Sequence, residues 1–359
     1  MNPGFWKDRS VFITGHTGFK GAWLCMWLRH MGARVTGYAL DPPTEPSLFN
    51  LADVGAEVVD LRGDVRDAAA LESAISHAEP EIILHLAAQS LVRVSYQEPV
   101  ETFATNVMGT VHLLDAVRRV SSVRAVLVVT SDKCYENREW TRGYREDDAM
   151  GGFDPYSSSK GCAELVTAAY RRSFFDGQSG RPLGIATARA GNVIGGGDWA
   201  QDRLLPDLLK SFSDGRSAVI RNPLATRPWQ HVLEPLRGYL MLAERLWGGD
   251  KDMPGGWNFG PLETDVKPVS WIADTAARRW GGNAAWERDP ASHPHEAHSL
   301  QLDITKAEDQ LGWHPVLGVE DAVAWTVRWY RGLLDGKSAK ALALRDIGEY
   351  GDRLAARHG

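Results

Sequence analysis

The first half of the chain alternates short apolar runs with stretches of helical character. Apolar runs rich in β-branched residues occur at residues 11–14, 34–39, 81–86, 124–130 and 184–189. Helical character appears between them, most clearly at residues 22–31 and 107–120. Near-continuous apolar strands separated by helices are typical of a parallel sheet covered on both faces and built from right-handed crossovers. The pattern therefore predicts an α/β fold with a doubly wound parallel sheet.

After residue 190 this alternation gives way to glycine- and proline-rich pieces, among them residues 195–197 and 254–256. The change predicts a smaller, mixed α/β unit towards the C-terminus. The Trp- and Arg-rich residues 325–330 fall at helical spacing, and we expect packed core there rather than a surface that stacks on bases. The expected units are a first of residues 1–190 plus about 226–256 and a second of about 191–225 plus 257–359.

Composition narrows the class of protein. The 359 residues are 43% hydrophobic and 24% charged, which excludes disorder, collagen and coiled coil. A formal charge of −6 argues against a dedicated nucleic-acid binder or a polybasic membrane-surface protein. The cysteines Cys25, Cys134 and Cys162 form no Cys-x-x-Cys pair, which disfavours a disulfide framework or a thiolate zinc site. Because no signal peptide or membrane-spanning run is found, we expect a soluble cytoplasmic protein.

The first chemical motif is a glycine-rich loop between the first predicted strand and the helix that follows. Gly15, Gly18 and Gly21 are not spaced as Gly-x-Gly-x-x-Gly, but their strand-loop-helix context is that of a dinucleotide site. Such a loop lets the backbone approach a pyrophosphate at the positive end of a helix. An ordinary glycine turn is the competing interpretation. Lys20, inside the loop, is expected to meet phosphate or substrate, or else to be solvated.

Acidic residues after two strands predict further contacts with a dinucleotide. Asp41 ends the second strand region, about where an acid binds the adenosine ribose, although beside Pro42 it could instead form a turn. Asp64 and Val65 follow another expected strand end and are candidates for the adenine edge, with a helix cap as the alternative. No Arg follows the second strand to bind a 2′-phosphate, which favours NAD over NADP.

The second motif reads Asp-Pro-Tyr-Ser-Ser-Ser-Lys at residues 154–160. An Asp N-cap and a Pro in the first turn predict a helix that places Tyr156 and Lys160 one turn apart on the same face. A free phenol has a pKa of about 10, but a nearby ammonium and a positive nicotinamide ring favour the phenolate. Together with the glycine loop and with Ser131 at the end of the preceding strand, the pair becomes a specific signal.

These residues resemble a known family. The chain is similar to the extended short-chain dehydrogenase/reductases that act on nucleotide sugars. The similarity lies in the glycine loop, Asp64, residues 86–89, Ser131 and the Tyr156/Lys160 pair. Further segments resemble one branch of that family, the CDP-glucose 4,6-dehydratases. These segments are residues 130–137, 150–157, 189–199, 227–232 and 293–298. The resemblance extends from Phe5 to about Pro315 and implies a Rossmann-type first unit with NAD as a tightly held cofactor.

The resemblance also implies a reaction and the residues that perform it. Sugar carbon 4 is oxidised, water is eliminated across carbons 5 and 6, and the hydride returns to carbon 6. Tyr156 would take the proton of the 4-hydroxyl, Lys160 would hold the phenolate and the cofactor ribose, and Ser131 would bind the 4-oxygen. Asp132 and Lys133 match the family's acid and base positions for the elimination.

The implied binding residues form two groups. NAD would be bound by Gly15, Thr17, Gly18, Phe19, Lys20, Gly21, Asp41, Asp64, Val65, Leu86, Ala87, Ala88, Tyr156 and Lys160. The nucleotide sugar, CDP-glucose, would be bound by Gln89, Asn192, Arg203, Arg227, His231, Glu296 and His298. Of these, Asn192 and Arg227 are expected at the diphosphate. No metal is expected, because the reaction requires none.

The family also suggests partners and a pathway. A homodimer or homotetramer would form through the helices around residues 107–120 and 156–170. Neither nucleic acid nor a membrane is expected as a partner. Enzymes of this branch commonly supply 3,6-dideoxyhexoses for surface polysaccharide such as O-antigen.

Two other interpretations stay open. The first is a 4-epimerase, or a dehydratase for another nucleotide sugar, in the same superfamily. Asp132 and Lys133 argue against an epimerase, which never breaks the bond to oxygen 6. The second is a non-catalytic NAD-sensing regulator on this fold, which has no need of Ser131, Tyr156 and Lys160 together.

Overall fold

The computed structural model of the chain describes residues 1–175, 183–291 and 300–358. The strands in chain order are β1 Ser10–Thr14, β2 Arg34–Ala39, β3 Val59–Arg62, β4 Ile82–His85, β5 Ala125–Val129, β6 Gly184–Ala190, β7 Val193–Ile194, β8 Ala218–Ile220, β9 Thr226–Arg227, β10 Gln230–His231, β11 Gly255–Phe259, β12 Lys267–Pro268 and β13 Trp286–Arg288. The helices are α1 Pro3–Trp6, α2 Phe19–His30, α3 Leu48–Leu51, α4 Ala68–Ala78, α5 Val92–Gln97, α6 Pro99–Phe103, α7 Gly109–Arg119, α8 Pro155–Phe174, α9 Leu204–Ser213, α10 Leu233–Trp247, α11 Val269–Trp280, α12 Thr305–Leu311, α13 Val319–Leu334 and α14 Ala339–His358.

A parallel sheet lies at the centre of the fold, as the alternation of strands and helices predicts. In the described residues its strand order is β11-β6-β5-β4-β1-β2-β3, and each neighbouring pair is parallel. The chain thus builds outwards in one direction from β1 and in the other from β4. In such sheets a ligand binds at the carboxyl ends of the strands where this order reverses, which here is between β1 and β4.

Alternate residues of the strands pack on opposite faces of the sheet. Val11 and Ile13 of β1 join one apolar cluster with α2 and α10, whereas Phe12 joins a second cluster with α4 and α7. Every residue of β4 and of β5 is buried. Because both faces are covered, these strands are continuous apolar runs rather than alternating ones.

The edge strand β11 differs from the sequence expectation. Glycine-rich residues 254–256 predict irregular structure, but β11 pairs with β6 along its whole length. A Cβ on Gly256 would lie 2.3 Å from Nη2 of Arg189, so a glycine is required for this strand to pass the buried guanidinium. The strand runs on to Phe259, beyond the expected boundary at about 256, and the division into two units stays a prediction.

The chain after β6 adds small ladders and helices around the sheet. Within the described residues, β7 pairs with β10, β9 with β12 and β8 with β13. Helix α13 packs against α11, and its Trp325, Trp329 and Tyr330 are buried, which confirms that this segment is packed core. None of the described helices has the length and apolar character needed to cross a bilayer.

The C-terminal helix α14 joins distant parts of the fold. It packs against α2 and α13, and the ring of Tyr350 contacts Trp27 edge-on with centroids 5.7 Å apart. The Tyr350 hydroxyl donates to Oε2 of Glu234 at 2.8 Å and accepts from Nε of Arg237 at 3.0 Å. Two buried charged side chains of α10 are therefore joined through the hydroxyl of a residue on α14.

Candidate active site

The glycine loop lies where β1 ends and α2 begins, at the carboxyl edge of the sheet. Gly15 has a φ of +77°, and a Cβ there would lie only 2.7 Å from the backbone nitrogen of Ala87. A Cβ on Gly21 would lie 2.2 Å from the carbonyl oxygen of Gly15. Gly18 caps α2 without a side-chain bond to the first turn. Glycine at positions 15 and 21 thus lets the loop turn tightly between β1 and the positive end of α2, a place that suits a pyrophosphate.

Two residues beside the glycines hold this loop in place. The Thr17 hydroxyl donates to the carbonyl oxygen of Leu40 at 3.0 Å. His16 is fully buried, and its Nε2 lies 2.8 Å from Oδ1 of Asp60 in β3, which lies beyond β2 in the sheet. This role of His16 could not be predicted, because its partner comes from a strand that is far away in sequence.

The acidic residue after β2 has an unexpected neighbour. The Asp41 side chain is 91% exposed, and its Oδ1 lies 3.8 Å from Nε of Arg62 at the end of β3. Arg62 also donates from Nη1 to the carbonyl oxygen of Leu40. As expected, no Arg directly follows β2 in the sequence. Arg62 nevertheless lies beside Asp41, because β3 is the strand next to β2 in the parallel sheet.

Asp64 and Val65 lie after β3, as expected, but their side chains have protein partners. Oδ1 of Asp64 accepts from the backbone nitrogen of Arg66 at 2.9 Å and from its Nε at 3.0 Å. Val65 is buried beneath Gly109. The cap of the next helix is Asp67 rather than Asp64, which removes the helix-cap alternative. The contact with adenine stays a prediction.

The predicted catalytic helix is α8, and it begins as expected. Asp154 caps it, with Oδ1 accepting from the backbone nitrogen of Ser157 at 2.9 Å. Tyr156 and Lys160 are both buried, and Nζ of Lys160 donates to the carbonyl oxygen of Val129 at 3.2 Å. Burial raises the pKa of Tyr156 to about 12, against a hydrogen bond with Ser131 that lowers it. Burial lowers the pKa of Lys160 to about 8.

The residues after β5 form a short 3-10 turn, Asp132–Cys134, capped by Ser131. The Ser131 hydroxyl accepts from the backbone nitrogen of Lys133 at 3.2 Å and donates to Oδ1 of Asp132 at 2.9 Å. Asp132 is buried, and burial raises its carboxyl pKa although nearby Lys133 favours the charged form. A buried carboxyl with a raised pKa, beside an amine, suits proton transfer in both directions.

Cations surround this carboxyl. Lys20 is half-buried, and burial together with the charges of Arg203 and Lys160 lowers its pKa to about 8. Arg203 donates from Nη1 to Oδ2 of Asp198 at 2.7 Å. Arg227, on β9, donates to the carbonyl oxygen of Thr226 and is close enough to Asp132 to lower its pKa. Such a cluster of positive charge suits a phosphorylated ligand.

Gln89 and His231, which are also predicted to bind substrate, have side chains that contact other groups of the protein. The Gln89 side chain bonds the backbone of Leu91 and the hydroxyl of Thr102, so it stabilises its own turn. His231 is fully buried between Trp23 and Trp325, and burial lowers its pKa to about 3. This burial gives no support to contact between His231 and a substrate.

Three further residues predicted to bind substrate are Asn192, Glu296 and His298. Asn192 is half-buried after β6, and its carbonyl oxygen accepts from Gln230. Glu296 and His298 lie outside the described residues. No group of three His, Cys, Asp or Glu suited to a metal occurs in the described parts of the chain.

An ion pair that the sequence did not predict lies beneath the predicted catalytic residues Tyr156 and Lys160. Glu164 follows Lys160 by one turn on α8 and pairs with Arg189 of β6, with 2.8 Å between Oε2 and Nη2. Both side chains are nearly inaccessible to solvent. The helical spacing of Glu164 from Lys160 was a signal that could have identified it.

Comparison with known proteins covers almost the whole chain. Residues 12–249 match the family described as GDP-mannose 4,6 dehydratase. The chain belongs to this family. It is 51% identical to the CDP-glucose 4,6-dehydratase of Salmonella typhimurium over 98% of each chain.

Solved structures have a similar fold. The dTDP-glucose 4,6-dehydratase of Bacillus anthracis, in complex with NAD, has a TM-score of 0.75 at 20% identity and covers 90% of this chain and 96% of its own. The UDP-glucose 4-epimerase of Thermotoga maritima, with UDP-glucose, has a TM-score of 0.76 at 21% identity and covers 90% and 99%. These likenesses confirm the predicted Rossmann-type α/β fold.

The close approach at Gly15 predicts a specific effect of adding one methyl group. Gly15→Ala should lower the free energy of unfolding by about 2–4 kcal/mol and weaken NAD binding, because strained backbone and a steric clash add together. Gly336→Ala is the matched control, since Gly336 has a φ of +80° but nothing within 4 Å of its added Cβ. It should lose only about 1 kcal/mol, from strain alone. Urea unfolding and NAD titration measure both, and equal losses would contradict the packing role of Gly15.

Proposed function

We propose that the protein is a CDP-glucose 4,6-dehydratase, converting CDP-D-glucose to CDP-4-keto-6-deoxy-D-glucose and water. The observation that carries this proposal is the 51% identity, over 98% of each chain, to the Salmonella typhimurium enzyme of that name. The site supports it, since a Ser-Tyr-Lys set for oxidation lies beside an Asp-Lys pair for elimination. An epimerase has no use for the second pair.

NAD is the cofactor that the site fits. The glycine loop of Gly15, Gly18 and Gly21, at the N-terminus of α2, is proposed to bind its pyrophosphate, and Lys160 is proposed to bond the nicotinamide ribose. Asp41 is the candidate for the adenosine ribose. NAD, when bound, supplies the acceptor for the hydride of carbon 4 and the donor that reduces carbon 6.

In the first half-reaction Tyr156 takes the proton of the sugar 4-hydroxyl. The pKa of this phenol is raised to about 12, chiefly by burial, so positive charge must be brought close to make it a base. Lys160, one turn along the same helix, provides that charge, and Ser131 donates a hydrogen bond to the 4-oxygen. A carbonyl at carbon 4 then acidifies the proton on carbon 5.

In the elimination the proposal assigns opposite proton transfers to adjacent residues. Asp132 donates a proton to the departing 6-hydroxyl, which its raised pKa supports. Lys133 takes the proton from carbon 5, or it stays charged and stabilises the enolate that forms. Asp132 and Lys133 can share these two proton transfers because both belong to the 3-10 turn that Ser131 caps at the carboxyl edge of the sheet.

Positive side chains around Asp132 support binding of the nucleotide diphosphate. Arg227 and Asn192 are proposed at the diphosphate, and Arg203 and Lys20 extend the same charged region towards the glycine loop. Since a diphosphate is a dianion, it would relieve the mutual repulsion of these cations. The same relief would favour the protonated form of Lys20 when substrate is bound.

We also propose that the protein is a homodimer, assembled through a four-helix contact that uses the continuous helical residues 99–119 and helix α8 of each copy. The support is a group of exposed apolar side chains on neighbouring helices, Val100, Phe103, Met108 and Leu165. Helix α8 packs directly against α6 and α7, so these side chains lie on one side of the molecule. Apolar side chains gathered on one side mark an interaction surface.

The proposed activity is tested with a panel of nucleotide-glucoses. CDP-glucose should give a 4-keto-6-deoxy sugar, detected by its absorbance in alkali, at a rate well above that for the other nucleotides. Tyr156→Phe should bind NAD normally but show at least about a 10²-fold lower rate, because the catalytic base is lost. An epimerised sugar without the keto product would favour the 4-epimerase alternative, and no turnover of any sugar would favour the regulator.

The role of Lys133 is tested by separating the two half-reactions. Lys133→Met should still oxidise carbon 4, seen as the absorbance of reduced cofactor on rapid mixing with CDP-glucose. Exchange of the carbon 5 proton with heavy water should stop, since no base remains to remove it. Exchange at the wild-type rate would remove Lys133 as the base and leave it the electrostatic role.

The dimer contact is tested by placing a charge in the apolar surface. Leu165→Glu should convert the dimer to a monomer in light scattering, because a carboxylate buried at an interface is strongly unfavourable. Leu334→Glu is the matched control, since Leu334 on α13 is 59% exposed and Leu165 60%. The control should keep the wild-type mass. If Leu165→Glu also keeps that mass, α8 is not in the contact.

A further inference from the structure

The ion pair beneath the catalytic helix is saturated with hydrogen bonds. Oε1 of Glu164 accepts from Nε of Arg189 at 2.9 Å, and Oε2 accepts from Nη2 at 2.8 Å, so the pair is bidentate. Glu164 is 5% exposed and Arg189 is 3% exposed. A pair this deeply buried costs desolvation energy that an apolar pair would avoid, so stability alone is a weak reason for its presence.

The carboxylate of Glu164 reaches two strands as well as its own helix. The Thr130 hydroxyl, at the carboxyl end of β5, donates to Oε1 at 2.5 Å. The Thr187 hydroxyl, on β6, donates to Oε2 at 2.6 Å. Helix α8, which carries Tyr156 and Lys160, is therefore joined at one residue to the two strands that it crosses.

The guanidinium of Arg189 continues the connection to the far side of the catalytic turn. Its Nη1 donates to the Tyr135 hydroxyl at 2.5 Å, and that hydroxyl donates to Oδ1 of Asn258 on β11 at 2.8 Å. Tyr135 directly follows the 3-10 turn Asp132–Cys134. The ion pair thus holds the residue before Ser131 and the residue after that turn.

We propose that Glu164 is a positioning residue, paired with Arg189, that fixes the helix bearing Tyr156 and Lys160 against the turn bearing Ser131, Asp132 and Lys133. This inference rests on the proposed dehydratase function. That reaction needs the two groups of residues to act on neighbouring sugar carbons in one bound geometry. A small shift between helix and turn would leave each group intact but misplace it with respect to the other.

The charge of Glu164 has a second effect on the same site. Burial opposes its ionisation, but the charge of Arg189 and the hydrogen bonds around the carboxyl outweigh burial and lower its pKa. The resulting anion lies one turn from Lys160 and counteracts the effect of burial on that amine. Glu164 therefore favours the charged form of Lys160 that Tyr156 requires.

The obvious variant is not the best test. Glu164→Gln leaves the Arg189 guanidinium buried without its anion, which is expected to unfold the protein. Thr130→Val and Tyr135→Phe each remove one end of the connection and keep the ion pair itself. Neither side chain has been given a part in the chemistry.

Two control variants make the same chemical changes away from the site. Thr167→Val, on the same helix, removes a buried hydroxyl that bonds only the carbonyl oxygen of Ala163 among the recorded contacts. Tyr350→Phe removes a buried phenol hydroxyl that bonds the Glu234 and Arg237 side chains. Both controls should lose stability to a similar extent in urea unfolding.

Steady-state kinetics with CDP-glucose separates positioning from stability. Thr130→Val and Tyr135→Phe should lower kcat about tenfold or more with KM changed by less than about twofold, since ground-state binding is untouched. Thr167→Val and Tyr350→Phe should keep the wild-type kcat. Wild-type kcat in all four variants, or equal losses in all four, would overturn the inference. A wild-type protein that does not turn over CDP-glucose would instead overturn the proposed function and this inference with it.

Discussion

Charge buried at the carboxyl edge of the sheet is the constraint on which the rest of the site depends. Lys160, Asp132 and the Glu164–Arg189 pair are all nearly inaccessible to solvent. An isolated charge in such a place is strongly unfavourable, so each must be neutralised, hydrogen-bonded or paired. The neighbouring strand ends supply the partners, and the sheet therefore determines the protonation chemistry as well as the shape of the site.

Burial brings the pKa values of the carboxyl and the amines closer together. It raises the pKa of the Asp132 carboxyl and lowers the pKa values of Lys160 and Lys20 to about 8. The pKa values of a carboxyl and an amine, which differ widely in water, are thereby both brought closer to pH 7. A group whose pKa is near the working pH can readily accept and donate a proton. The phenol of Tyr156 moves the other way, to about 12, which makes it dependent on the cations around it.

What the sequence could predict was decided by local rules. The buried strands, the N-cap Asp154 and the one-turn spacing of Tyr156 and Lys160 follow from neighbouring residues, and the structure contains them all. The pairing of Arg62 with Asp41 could not be predicted, because it needs β2 and β3 to lie side by side. His231 shows the opposite failure, since its motif resembles a binding segment but the tertiary fold encloses the ring.

The late strand β11 has a consequence for how the chain folds as it is made. It pairs with β6 and lies beyond α10, so the sheet has no final edge until residues 255–259 have left the ribosome. Until then β6 is an open edge whose backbone donors and acceptors lack a partner, the state in which strands associate wrongly. Helix α10, which packs on β5 and β6 and is made before β11, covers one face of that exposed region in the meantime. The backbone of β6, however, gains its hydrogen-bonding partner only when β11 is added.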